Sequence, residues 1–131
     1  MKTILVLALV FSGCGAVQRM SNNNSESRDP DAVLREGMRT YSECVFRSTG
    51  HYYKASESPT DAVEAATANC AAEYDAYEKS AVYFYTQTSN VLDARVARIE
   101  ALKAAPEFKD KVKSQAIKRV LDRRMEATPR Q

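Results

Sequence analysis

Two cysteines constrain this chain more than anything else in it. Cys44 and Cys70 lie 26 positions apart, and Glu57, inside the turn-like run Ser56-Glu57-Ser58-Pro59, is 13 from each. Two antiparallel helices meeting at that run would carry both sulfurs at the same height. A disulfide accepts only a narrow range of Cα separations, so the symmetry is informative. It predicts a helical hairpin stapled near its middle, and closing such a loop contributes roughly 3 kcal/mol on a chain-entropy estimate. The other reading of the pair is two free thiols in an apolar seam, which suits a reducing compartment rather than an export route.

The residues around the cysteines carry the same message. Asp29 can cap a helix whose first turn holds Pro30, where the missing N–H costs nothing. Leu34, Met38, Tyr41, Val45, Ser48 and Tyr52 then recur at alternating steps of four and three, which is one face of a helix. Gly37 and Gly50 lie within that helix, and each weakens it by about 1 kcal/mol relative to Ala. Ser58, Pro59 and Asp61 restart the chain with a cap, a first-turn proline and an acid that reaches back. The second seam is Val63, Ala66, Cys70, Tyr74, Tyr77, Ala81 and Phe84. Its alanine-rich first half lets a neighbouring helix approach where the staple needs it.

Beyond Thr88-Ser89-Asn90 a third stripe reads Leu92, Val96, Ile99 and Leu102. A fourth follows Pro106 as Phe108, Val112, Ala116, Ile117, Val120 and Leu121. Proline removes a backbone donor and clashes with the preceding turn, so the sequence predicts a kink or break at Pro106 that folds this arm over the hairpin. The expected fold is all-α, a disulfide-stapled antiparallel hairpin with a third, kinked or broken helix packed on it. That is a three- to four-helix bundle over residues 30–128. Composition agrees: 44% hydrophobic, 27% charged, four glycines and four prolines in 131 residues, with the Ala, Glu, Lys and Arg that favour helices. Charge is unevenly spread. From Ala94 onward there are 11 Lys and Arg against 5 Asp and Glu; before it, 8 against 12. The arm is basic and the hairpin acidic, so mutual neutralisation is the simplest use of the charge.

The first residues have a different character. Met1-Lys2 precedes an apolar run from Thr3 to Phe11, the length of a signal-peptide core and too short to span a bilayer. The run ends Val10-Phe11-Ser12-Gly13-Cys14. Here the chain resembles the bacterial lipoprotein precursors, whose signal ends in two small residues and a cysteine, with Phe11 standing where that class usually has Leu. The resemblance covers about fifteen residues. It implies a signal peptide over 1–13, cleavage before Cys14, diacylglycerol on the Cys14 sulfur and an acyl chain on the new amino group. It also implies a cell-envelope location, and Gly15 after the cysteine points to the outer membrane, facing the periplasm. An ordinary secretory signal cleaved near Ala16 is the alternative. Cysteine arithmetic favours lipidation, since it leaves Cys44 and Cys70 to pair with no thiol over. Residues 14–29, with Ser21-Asn22-Asn23-Asn24-Ser25-Glu26-Ser27, have no apolar periodicity and read as the lipidated N-terminus and a tether.

The same sequence offers little for catalysis. It has no phosphate loop, nucleophile elbow or paired-histidine motif, and no cofactor signature. His51 is the one histidine and stands near the predicted turn without a sequence partner. With Cys44 and Cys70 it matches no structural zinc spacing, so no metal is expected. Glu64, Glu73, Asp75 and Glu78 on the second helix read as a solvated face or as partners of the basic arm, rather than an acid/base pair in unlike environments. The consecutive Tyr83-Phe84-Tyr85 point about 100° apart on a helix, so they cannot all face one core. Tyr83, Tyr85 and, at the other end, Tyr53 are therefore candidate partner contacts. Lys111, Lys118, Arg119 and Arg123 are candidate contacts with anionic lipid, or simply a solvated face. Nucleic acid does not fit an exported, anchored chain. The sequence thus reads as a non-enzymatic envelope protein. Its expected role is to present a helical surface to another envelope protein, with inhibitor or immunity action included. The alternative is a structural lipoprotein that contacts the membrane through its basic arm.

Overall fold

A computed structural model of the chain describes residues 28–89 and 93–127. The expected signal peptide, Cys14, most of the expected tether, Asn90, Leu92 and residue 128 therefore lie outside the described residues. Four α-helices make up the rest: α1 (Pro30–Tyr52), α2 (Pro59–Asn69), α3 (Ala71–Thr88) and α4 (Ala94–Ala127). The caps are those the sequence implies. The Asp29 carboxylate accepts from the N–H of Asp31, and the Ser58 hydroxyl accepts from that of Asp61. Asp93 does the same for α4, accepting from the N–H of Arg95 at 3.2 Å.

The hairpin is present and stapled. Cys44 and Cys70 are joined, with their Cα atoms 6.0 Å apart. The second arm of the hairpin is two helices rather than one. Cys70 leaves the helical region at φ −102°, ψ 27°, and its N–H is shared between the carbonyls of Ala66 and Thr67. The second rod therefore changes direction at the staple. Together α2 and α3 run antiparallel to α1, and α4 runs back along both, so three rods enclose one core.

The core holds Tyr41, Val45, Val63, Ala66, Cys70, Tyr77 and Ala81, with Ala101, Ala105, Val112 and Ala116 from α4. Tyr41 sits at its centre, fully enclosed, with ring centroids 5.2 Å from Tyr74, 6.5 Å from Tyr77 and 6.3 Å from Phe108. Such a cluster contributes its buried area and a further 0.5–1.5 kcal/mol or so for each well-placed ring pair.

Gly37 also finds its reason here. A Cβ at this position would lie 2.8 Å from Ser80 Oγ, 3.0 Å from Ser80 Cβ and 3.3 Å from Tyr77 Cα. The glycine lets α1 and α3 touch nearly backbone to backbone, and that closeness offsets its poor helix propensity.

The last helix departs from expectation twice. It continues without interruption through Pro106, so the arm turns back between α3 and α4 instead. Pro106 faces solvent while its neighbour Ala105 is buried. The carbonyl that loses its donor can thus turn to water, which keeps the cost of an interior proline low. A 34-residue helix is about 51 Å long. It finds a full-length partner because α2 and α3 laid end to end are nearly as long.

The second departure concerns which face packs. Val96, Ile99 and Leu102, the stripe expected to face the core, are 37%, 51% and 46% exposed, whereas Ala97, Ala101 and Ala105 are buried. The alanines lie on the same line of the helix as Phe108, Val112, Ala116 and Val120 farther along. One straight helix can bury only one line, and alanine permits the closer approach to α3.

Candidate functional site

Among the described residues, the titratable groups do not converge on a catalytic arrangement. His51 is exposed at the end of α1 and meets the ring of Tyr52 edge-on, 5.5 Å away. Cys44 and Cys70 are spent on each other, so the nearby Glu73 carboxylate faces a disulfide rather than two thiolates. Glu64 is paired with Lys113 of α4 at 2.8 Å, and Asp75 and Glu78 line a shallow groove with Arg98.

Burial perturbs three phenols, while on the surface the Glu36–Arg39 hydrogen bond holds the Glu36 carboxyl below its usual range. The hydroxyl of Tyr41 is pushed up to about 12, chiefly by burial and then by the carboxylates of Glu64 and Asp110. Tyr77 is raised by burial, and Tyr74 by burial and by the neighbouring Glu78 carboxylate. These phenols stay protonated at neutral pH and cannot act there as bases. The Tyr41 hydroxyl is enclosed without a hydrogen-bond partner, as is that of Thr49. The Tyr41 hydroxyl reads as a packing cost of the core, and Thr49 borders a small recess between α1 and α4.

Much of the basic arm lies against the hairpin. Lys113 binds Glu64, and Lys109 stands 4.6 Å above the ring of Tyr74. The guanidinium of Arg119 stacks 3.8 Å from the ring of Phe46. Arg124 lies over Tyr53 at 5.3 Å and donates to the carbonyl of Glu57 at 2.9 Å. Of the four candidate lipid contacts, Lys111 and Lys118 share one exposed line of α4. Arg119 and Arg123 are rotated about 100° from that line, toward α1. Arg123 lines a small recess there with Thr49 and Gly50. The four therefore do not form one outward stripe.

The candidate tyrosines are likewise divided. Tyr53 is at the far end of α1, beneath Arg124. Tyr83 and Tyr85 close α3 at the opposite end, about 30 Å away along α1. The Tyr83 hydroxyl donates to the carbonyl of Arg28 at 3.1 Å and so pins the point where the chain enters the bundle. Tyr85 is half-buried against the core.

Among the described residues, one feature with the shape of a binding site is a groove that sequence reading did not single out. An open groove of about 520 Å³ runs between α1 and α3, floored by Ala32, Val33, Gly37, Thr40, Ala76 and Ser80. Arg28, Asp29 and Glu36 stand at its rim. It exists because Gly37 brings the two helices together and the residues flanking that contact are small. The sequence signal was there in Gly37 and in the alanines of α3, but it specified close approach rather than an open channel beside it. Among the described residues no helix is long and apolar enough to cross a membrane. No protein-family model, curated protein or solved structure matches this chain.

Proposed function

We propose that this protein is a non-catalytic envelope lipoprotein, anchored through Cys14, that presents a helical surface to another envelope protein. The observation that carries the reading is the α1–α3 groove. It is long, open and mostly apolar, with charge only at its rim, which suits an apolar ridge of a protein partner better than a polar substrate. The staple supports the compartment: a Cys44–Cys70 disulfide belongs to an oxidising environment and leaves Cys14 as the cysteine available for lipid. The phenols of the core are protonated and enclosed, and the carboxylates are solvated or paired, which suits binding rather than catalysis. Membrane tethering through the basic arm is the second reading, with Lys111 and Lys118 as its exposed contacts.

Two measurements test the proposal. Intact mass of protein purified from bacterial membranes should give an N-terminus at Cys14 with acyl chains added; a plain N-terminus would remove the anchor. A photo-crosslinking residue at Ala32, in the groove, should give a discrete adduct with one envelope protein in the living host. The same group at Glu107, on the exposed side of α4, should not. Adducts of equal yield from both positions, or from neither, would refute the groove as the partner surface.

A further inference from the structure

Three of the large apolar residues turned outward on α4, Val96, Ile99 and Leu102, gather near its start, while Leu121 and Met125 lie toward its other end. On a helical wheel Ile99 lies at the middle of the outer face, opposite the buried line of Ala97, Ala101 and Ala105. Arg95, Leu102, Lys103 and Val96 surround it, and Arg98 borders the patch on the side toward α3, where it and Leu102 line the groove with Asp75 and Glu78. Exposed aliphatic side chains ringed by three cations, with Glu100 bound to one of them (Lys103, 2.8 Å), make a short basic-apolar surface. That is the chemistry of helices lying at the interface of an anionic membrane.

Its position selects the same occupant. The hydrogen bond from Tyr83 to Arg28 holds the chain's entry point beside the end of α3, the end of the bundle from which α4 starts. Fourteen peptide steps separate Cys14 from Arg28. They reach at most about 50 Å fully drawn out. The distal cations Arg119 and Arg123 lie 30–35 Å or so beyond Ile99 along the helix axis. A bilayer holding Cys14 is therefore within easy reach of the outer face at Val96–Lys103, and the end of the arm lies farther from the chain's entry point.

We propose that this outer face of α4, centred on Ile99, docks on the anionic membrane surface to which Cys14 is anchored. The inference rests on the anchor reading and deepens it: the lipid holds the protein at the membrane, and this face sets its orientation. On α3, the residues of the α1–α3 groove (Ala76, Ser80) and those facing α4 (Asp75, Glu78, Val82) lie on opposite flanks. With α4 down, the groove is turned away from the bilayer and open to a partner.

The chain contains no tryptophan, so Ile99→Trp and Leu121→Trp each create a single emitter at an exposed site. Each full-length protein, purified from bacterial membranes, is reconstituted into vesicles of phosphatidylethanolamine and phosphatidylglycerol carrying brominated acyl chains. The indole at 99 should shift to shorter wavelength and be quenched, and the indole at 121 should not. Adding Arg95→Glu and Arg98→Glu to the first variant should abolish its response, with the far-ultraviolet circular dichroism unchanged. An unresponsive indole at 99, or equal quenching at 99 and 121, overturns the proposal. So does a blue shift at 99 that grows with protein concentration without vesicles, because a second copy would then be the occupant. Intact mass separates the two readings: acylated protein with a silent indole at 99 loses the docking face and keeps the anchor, and the converse result does the reverse.

Discussion

The contact between Gly37 and Ser80 gives the sharpest test of the packing, because helix propensity and tertiary structure predict opposite signs there. In an exposed helix Gly37→Ala would stabilise by about 1 kcal/mol. In this bundle the new Cβ meets Ser80 Oγ at 2.8 Å, Ser80 Cβ at 3.0 Å and Tyr77 Cα at 3.3 Å. The serine cannot swing far, since its hydroxyl is bonded to the carbonyl of Ala76 at 2.9 Å. The backbone of α3 cannot move without disturbing Tyr77 and Ala81 in the core. Overpacking of this kind costs about 1–3 kcal/mol, so the net expectation is destabilisation by about 1 kcal/mol. Ser80→Gly removes the two nearest atoms, so that the closest approach becomes the 3.3 Å to Tyr77 Cα. In that background Gly37→Ala should become neutral or stabilising, a coupling of about 1 kcal/mol or more. Urea denaturation followed by circular dichroism under non-reducing conditions measures all four corners of the cycle. If Gly37→Ala stabilises by about 1 kcal/mol in both backgrounds, α1 and α3 are not in contact at this point and the account of the glycine fails.

Other perturbations follow from the same structure. Cys44→Ser should lower the melting temperature by about 15 °C or more, corresponding to roughly 3 kcal/mol for a closed loop of this length. Reductant should do the same to the parent and nothing to the variant, and a parent indifferent to reductant would remove the staple. Tyr41→Phe deletes a hydroxyl enclosed without a partner, so stability should be unchanged or rise by about 1 kcal/mol. A loss of that size in denaturant titrations would mean that the hydroxyl is bonded. The same phenol makes the fold sensitive to alkali. Its ionisation is raised from 10.0 to about 12 in the folded protein, so the unfolded chain gives up its proton first. The stabilisation is complete below pH 10 and is lost as pH rises toward 12, with Tyr74 and Tyr77 acting in the same sense. Tyr41→Phe should flatten that alkaline decline, and an identical decline in parent and variant would count against the assignment.

Much of the fold was legible because its signals are local or symmetric. Asp29 with Pro30, and Ser58 with Pro59, mark helix starts by chemistry that operates within one turn. The equal spacing of Cys44 and Cys70 about Glu57 encodes the hairpin because two helices of equal rise must come level there. The seams of α1 and of α2–α3 were readable since each has only one apolar face, leaving no choice of what to bury.

The first half of α4 has two. Val96, Ile99 and Leu102 compete with Ala97, Ala101 and Ala105, and composition favours the larger side chains. What decides between them is distance between rods, a property of the assembled bundle: at that separation alanine fits against α3 and leucine does not. The same holds for Pro106, whose cost depends on whether its side of the helix meets water or a neighbour. It also holds for the α1–α3 groove, which is the space left beside a contact and belongs to no single segment. The sequence by itself determined where the two arms of the hairpin begin, which cysteines pair and that the last arm is basic. Only the tertiary structure decided which face of α4 is buried and which surfaces remain open. Burial is a competition between faces for a limited space, and that space exists only once the rods are together.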